Sequence, residues 1–412
     1  MAATLKEIQN QDTNIPVIFE KNENLPIFNL QLVFQNSGYI NDKNQTGITN
    51  IVAKILNEGT KKNGAIKYAK NLENNAISIH TGTGLETFVI EISSLKSEYK
   101  LALKYLTQLL SDPNISQDTL DKIKLLELSK LQQKENDFDY IASKNLKKLQ
   151  YKDTPLEYTS KGDLSHIEKI SLIDVEKKLY SILNLDNLIL VAGGDLKFKE
   201  FKSDIQDTLN LIKPQEKTAF SKINISRSIQ EKVTKKETEQ SYIYFSSPFD
   251  VNFDSKESYK AKVASFILGG SGFGSRLMEE IRVKNGLAYS AYGHIVNNKS
   301  HSHFTGYLQT KLDNTTKAKK MVKQIVKDFA KNGVTKEELQ AAKNFLLGSE
   351  PLRTETFSQK LNRAFHLYYR NQAFDYPQKE LEMINALTLE DLNQFIQKHQ
   401  EITQLSFSIV TQ

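Results

Sequence analysis

Residues 167–179, IEKISLIDVEKKL, and residues 384–395, INALTLEDLNQF, carry one pattern, and that pattern decides the fold. Each places a Ser or Thr (Ser171, Thr388), two residues, an acid (Asp174, Asp391) and then apolar residues at helical spacing, the signature of a capped amphipathic helix. A β-rich segment follows both: NLILVAGG at 187–194 and QLSFSIVTQ at 404–412. The copies lie about 217 residues apart, measured from Ser171 to Thr388.

Earlier elements repeat at the same offset. ISQDTLDKIK at 115–124 resembles VTKEELQAAK at 334–343, and each opens a long helical pattern. Before them, ETFVIEISSLKSEYKLALKYLTQLL at 86–110 matches HFTGYLQTKLDNTTKAKKMVKQIV at 303–326, an alternating strand and then a helix in both cases. Four matched elements at one offset imply two homologous halves, 1–212 and 237–412, joined by a Lys- and Ser-rich linker of low periodicity at 213–236. Alternation and β-branched content predict strands at 16–20, 28–35, 76–82, 86–93, 187–193, 241–246, 286–296, 303–310 and 404–410. Strands mixed with long helices in each half predict the α+β class, with mixed or antiparallel sheets.

Composition narrows the chemistry. The 412 residues exceed what one hydrophobic core usually supports, which agrees with two domains. The chain holds no cysteine, so disulfides, zinc ribbons and thiol nucleophiles are excluded, and any metal would need His and carboxylates. A net charge of +6, with lysines interleaved among acids, gives no nucleic-acid stripe, and no apolar run is long enough for a membrane span. The opening MAATLKEIQ lacks a secretory signal. A cytoplasmic protein is one reading, and a periplasmic or secreted protein whose signal was trimmed is the other.

Chemistry-bearing residues concentrate in GGSGFGSRLMEEIRVKNGLAY at 269–289. Gly269, Gly270, Gly272 and Gly274 have the look of a phosphate cradle, but the preceding SYKAKVASFIL reads as helix rather than as the strand a dinucleotide loop requires. A turn between two helices is the local reading. Ser275 is placed as an N-cap, Gly286 as a helix end, and Arg282 as a cation in the last helical turns, where the helix dipole favours it in any case. Tyr289 falls in the alternating strand with Leu287 and Ala291, which is compatible with ordinary sheet packing. His301 and His303 share one strand face, with His294 upstream, and are expected at solvent-exposed strand ends, with a fortuitous surface metal site as the alternative.

The run LMEEIRVKNGLAYSAYG at 277–293 resembles the C-terminal half of the pitrilysin-like M16 metallopeptidases. The resemblance implies two similar α+β domains in a clam-like chamber, with Arg282 and Tyr289 contacting substrate together with the glycine loop of Gly269, Gly270, Gly272 and Gly274. In zinc-bearing members of that family a His-x-x-Glu-His helix lies between a Gly and a Gly-Thr, a context that GITNIVAKILNEGT at 47–60 resembles. Here Asn50 and Lys54 stand at the histidine positions and Ala53 at the glutamate position, and none of the three supplies a metal ligand or a base. Glu127 lies on the helix expected to bear the third ligand. The resemblance therefore implies the non-zinc subunit of a two-subunit peptidase. It would be inactive alone, binding no metal itself, with zinc on a homologous partner subunit and with peptides as substrate. The alternative is a catalytically inactive M16-like scaffold or assembly core.

Overall fold

The computed structural model describes residues 3–217 and 221–412, so residues 218–220 of the expected linker lie outside the described residues. Eleven strands form two sheets. The first contains β1 (Thr4–Asn10), β2 (Thr13–Lys21), β3 (Ile27–Gln35), β4 (Ser78–Thr83), β5 (Thr87–Leu95) and β6 (Leu188–Gly194), in the order β1-β2-β6-β3-β5-β4. The second contains β7 (Glu231–Lys235), β8 (Gln240–Pro248), β9 (Ala288–Asn297), β10 (Ser302–Lys311) and β11 (Ser406–Thr411), in the order β7-β11-β8-β10-β9. Apart from β1 the two orders are the same, with β7 in the place of β2. Each of these strands runs parallel to the last strand of its sheet while all other pairs are antiparallel. The chain is α+β, and its sequence repeat is a repeat of sheet topology.

All nine expected strands are present, and two more were not expected. Both β1 and β7 are edge strands, with burial so slight and sequences so charged (TLKEIQN, EKVTK) that no alternation marks them. β7 also places 231–235 of the expected linker inside a sheet.

One face of each sheet is covered by long helices whose apolar stripes match the pattern read from the sequence. Helix Tyr99–Ser111 buries Ala102, Leu103, Leu106 and Leu109, and its counterpart Thr315–Asn332 buries Ala318, Val322, Ile325 and Phe329. The capping residues are as read: Ser171 and Asp174 form a reciprocal capping box, and Thr388 accepts from the Asp391 amide.

The chain packs into two compact units whose composition differs from a single cut in the linker. One unit comprises the described residues of Met1–Gln132, Tyr158–Phe220 and Thr354–Tyr369, and the other those of Gln133–Glu157, Ser221–Arg353 and Arg370–Gln412. Two helices at equivalent places in the repeat, Phe138–Gln150 and Phe357–Tyr369, are thus exchanged between the halves. In the first unit, Phe357 and Leu361 lie against the bare backbone of Gly193 on β6. A Cβ there would come within 2.7 and 3.2 Å of their side chains. The same helix accepts a hydrogen bond at Asn362 from Gln31 (2.7 Å) and donates from the Tyr369 hydroxyl to buried Glu86 (2.9 Å). In the second unit, Asp139 accepts from Tyr244 and from Gln309, each at 3.0 Å, and Ile141 and Ala142 pack with Val410 of β11.

Candidate functional site

Helix Ile48–Leu56 carries the positions of the degenerate metal motif. Its N-terminus is held by Asp42, which accepts from the Gly47 amide (3.0 Å) and from the Thr49 amide and hydroxyl, and which pairs with Lys178 at 3.1 Å. Burial holds the Asp42 carboxyl above its usual range, although Lys178, Thr49 and Gly47 all act to lower it. Along the helix, i and i+4 positions share a face, so Asn50 and Lys54 point the same way, and both reach Glu127 of helix Gln117–Lys134. Asn50 donates to one carboxylate oxygen at 3.1 Å, and the Lys54 ammonium sits 3.1 Å from the other, which Lys130 also approaches at 3.2 Å. Glu127 is 1% exposed. Burial acts to raise its pKa, but hydrogen bonds and charge from Lys54 and Lys130 carry it below the ordinary carboxylate value. Ala53, at the position of the general base, is packed in the core. Amide, ammonium and carboxylate do not make a zinc donor set, and the ammonium repels a dication. Among the described residues no group of three or more His, Cys, Asp or Glu is placed to hold a metal ion.

In the second unit each glycine of the 269–274 loop has its own reason. Gly269 closes a π-helical turn, Phe266–Gly270, against β9, where a Cβ would meet the Gly293 amide nitrogen at 2.6 Å. Gly272 and Gly274 have φ of +67° and +90°, a region that side chains disfavour. Close packing and positive φ account for glycine at these three positions. Ser275 stands at the N-cap position, but its hydroxyl donates to the Gly272 carbonyl (2.8 Å) and caps no helix amide. Arg276 is clamped by both oxygens of Glu338, at 2.5 and 2.6 Å.

Arg282 lies in a second π-helical turn, Glu279–Val283, a form that recurs at functional sites. The segment ends in an αL cap: Gly286, at φ +59°, donates to Arg282, and Leu287 reaches back to donate to Ile281. The Arg282 guanidinium lies 4.8 Å from the ring centre of Phe273, which is 68% exposed. Tyr289 does not pack into the sheet. β9 pairs Ala288 with Thr310 and Ala291 with Leu308, so Tyr289 and Ser290 together oppose Gln309, and this bulge turns Tyr289 outward to 82% exposure while Leu287 and Ala291 stay buried. Bulges of this kind commonly re-aim a side chain beside a binding site.

Comparison with known proteins gives the family. A model described as insulinase (peptidase family M16) matches residues 17–163, and one described as the peptidase M16 inactive domain matches residues 169–346. A protein named non-peptidase homolog YmxG, from Helicobacter pylori, is 41% identical over 414 residues, covering 100% of this chain and 95% of that protein. The chain belongs to the M16 peptidase family. An M16 relative from Bacillus subtilis, named uncharacterized zinc protease YmxG, is 22% identical over 353 residues, covering 84% of each chain. The fold is that of two solved structures. One is a peptidase M16 inactive domain from Pseudomonas fluorescens (TM-score 0.89, 22% identity, 99% of this chain and 98% of that one), and the other is a protease from Helicobacter pylori (TM-score 0.86, 15% identity, all of both chains).

Two further features of this M16 chain were not legible in its sequence. Phe273, the platform beneath Arg282, reads in the sequence only as a loop residue, and nothing there links it to a cation nine positions on. The histidines were misplaced. His301 is 6% exposed, its ring stacks on His303 at 5.2 Å, and Tyr151 lies edge-on to both and hydrogen-bonds His303 at 3.0 Å. The exchanged helix Phe138–Gln150 delivers Tyr151 at its C-terminus and so covers strand ends that would otherwise face water. Ser300 engages Nδ1 of His301 at 2.9 Å, as Tyr151 engages Nδ1 of His303.

Burial, with help from Lys147, lowers the His301 pKa to about 4; burial with His301, His294 and Lys147 lowers that of His303 as well. Burial also lowers His294 and Lys147. An unfolded imidazole binds its proton near pH 6.5 but the folded one does not, so acid favours the unfolded chain. The His301 contribution to stability should therefore be level above pH ~6.5 and fall between ~6.5 and ~4, by about 3 kcal/mol. Chemical denaturation across that range checks this, and His301→Phe should flatten the slope. An equal slope in the variant would place the acid sensitivity elsewhere.

Proposed function

We propose that this chain is a non-peptidase M16 subunit that binds peptide through Arg282 and Tyr289 and works with a homologous, zinc-bearing partner subunit. The observation that carries the reading is the bulge in β9. It turns a large aromatic residue with a hydroxyl donor to solvent, in the same segment that sets Arg282 on Phe273. The filled motif at Asn50, Ala53 and Lys54 supports the other part, that hydrolysis does not originate on this chain. So does the name of the H. pylori relative.

The chemistry available is donation. Arg282 presents a planar fork to peptide carbonyls, and Tyr289 a single phenolic hydrogen bond, so the pair can hold an extended peptide and meet negative charge developing on a carbonyl oxygen. Cleavage itself belongs to the partner.

The test is to purify the chain with and without a His-x-x-Glu-His M16 partner and to measure peptide hydrolysis. The chain alone should be inactive and the pair active. In the pair, Arg282→Lys and Tyr289→Phe should each lower turnover by about 10- to 1000-fold, the range for lost oxyanion donors, with a smaller change in KM. Stability should shift by less than about 0.5 kcal/mol, because both side chains are at the surface. Unchanged turnover in both variants would favour the assembly-core alternative, an M16 scaffold that neither binds nor positions peptide.

A further inference from the structure

The zinc that the family's fold implies and the residues this chain carries disagree, and the disagreement has a structural content of its own. A carboxylate taken out of water costs several kcal/mol unless it is paired and hydrogen-bonded. Glu127 is among the most deeply buried charged groups of the first unit, and it sits between two helices whose other tie is the more exposed pair of Lys122 with Glu58, just past the end of the first helix, at 2.7 Å. Three side chains meet its carboxylate. Asn50 and Lys54 come from helix Ile48–Leu56, and Lys130 comes from its own helix one turn on. Lys130 is half exposed, with 51% of its side-chain surface open, so water screens its charge; Lys54 is the better shielded of the two at 32%.

We infer that Lys54 is a built-in counter-cation: its ammonium takes the electrostatic place of a metal ion at Glu127 and ties helix Ile48–Leu56 to helix Gln117–Lys134. In this reading the former metal position is a folding element of the first unit. Its retention needs no catalysis, and the inference stands whether or not the chain binds peptide.

The reading separates from a passive surface contact by a double-mutant cycle on the full-length chain. Lys54→Met keeps the length and the apolar stem but removes the charge, leaving Glu127 buried with the neutral Asn50 amide and the screened Lys130. The melting temperature of the first unit should fall by about 5–10 °C. Lys54→Met/Glu127→Gln should recover more than half of that loss, because the uncompensated charge is gone. Lys130→Met should cost no more than about 2 °C, as an exposed pair does. If Lys54→Met aggregates and the double variant folds, the inference is supported in its strongest form. A single variant as stable as the parent chain, or a double variant no better than the single, would overturn it.

Discussion

Changing Asn50 and Lys54 together to histidine is expected to convert this chain into one that retains about one equivalent of zinc through gel filtration. The parent chain retains none beyond background. The argument is geometric. Both side chains already converge on the two oxygens of one carboxylate, each at 3.1 Å, from i and i+4 positions of one helix. Two imidazoles there with Glu127 make a His₂Glu set, the donor types zinc prefers at about 2.0–2.2 Å, with the fourth position open to water. Lys54→His also removes the charge that opposes a dication. Adding Glu127→Gln to the pair should lower retention to well below half an equivalent, since a neutral amide is a poor zinc ligand. Metal analysis decides. No zinc in the two-histidine variant would mean that Glu127 does not stand at a ligand position.

Asp42→Ala should be the most destabilising single change in the first unit, at about 3–5 kcal/mol. Asp42 closes the N-terminus of helix Ile48–Leu56 through Gly47 and Thr49 and neutralises Lys178, whose side chain is itself largely buried. Truncation leaves that ammonium without its counter-charge, with only the Asn41 carbonyl at 3.4 Å, and the first-turn amides without an acceptor, two separate losses at one position. Asp42→Asn keeps an acceptor and should lose about half as much. Urea titration followed by circular dichroism measures both, and a loss under about 1 kcal/mol for Asp42→Ala would show that water satisfies these groups.

What the sequence revealed and what it hid divide along physical lines. Ser171 and Thr388 announced capped helices because a cap is a local bargain between a side chain and amides three residues away, and the repeat of such local signals exposed the repeated sheet order. β1 and β7 were silent because they are charged edge strands with little to bury: β1 buries only Ile8 and Asn10, and β7 buries none of its residues. At the candidate site, Arg282 and Tyr289 were found by resemblance, but period-two logic put Tyr289 on the wrong face. A one-residue bulge is invisible in the strand that carries it, since it exists only relative to the register of β10. His301 and His303 were read as exposed for a similar reason: what covers them is Tyr151, some 150 residues away in sequence. Glu127 was on the expected helix, yet its pairing with Lys54 is a contact between distant segments that neither helix's own pattern encodes.

The exchanged helices set a schedule for making the protein. The first unit is not complete when residue 212 has been synthesised, because Phe357, Leu361 and Tyr369, which cover Gly193 and meet Glu86, are still to come. At about 5–20 residues per second those side chains emerge roughly 8–30 s later. Throughout that interval the β2–β6 face waits bare, while the helix Phe138–Gln150 waits for β8, then β10 and last of all β11 of its own sheet. Nascent chains therefore pass through a stage in which each half holds a piece owed to the other. The first unit can close only when Tyr369 has emerged, and the second only with β11 near the end of the chain.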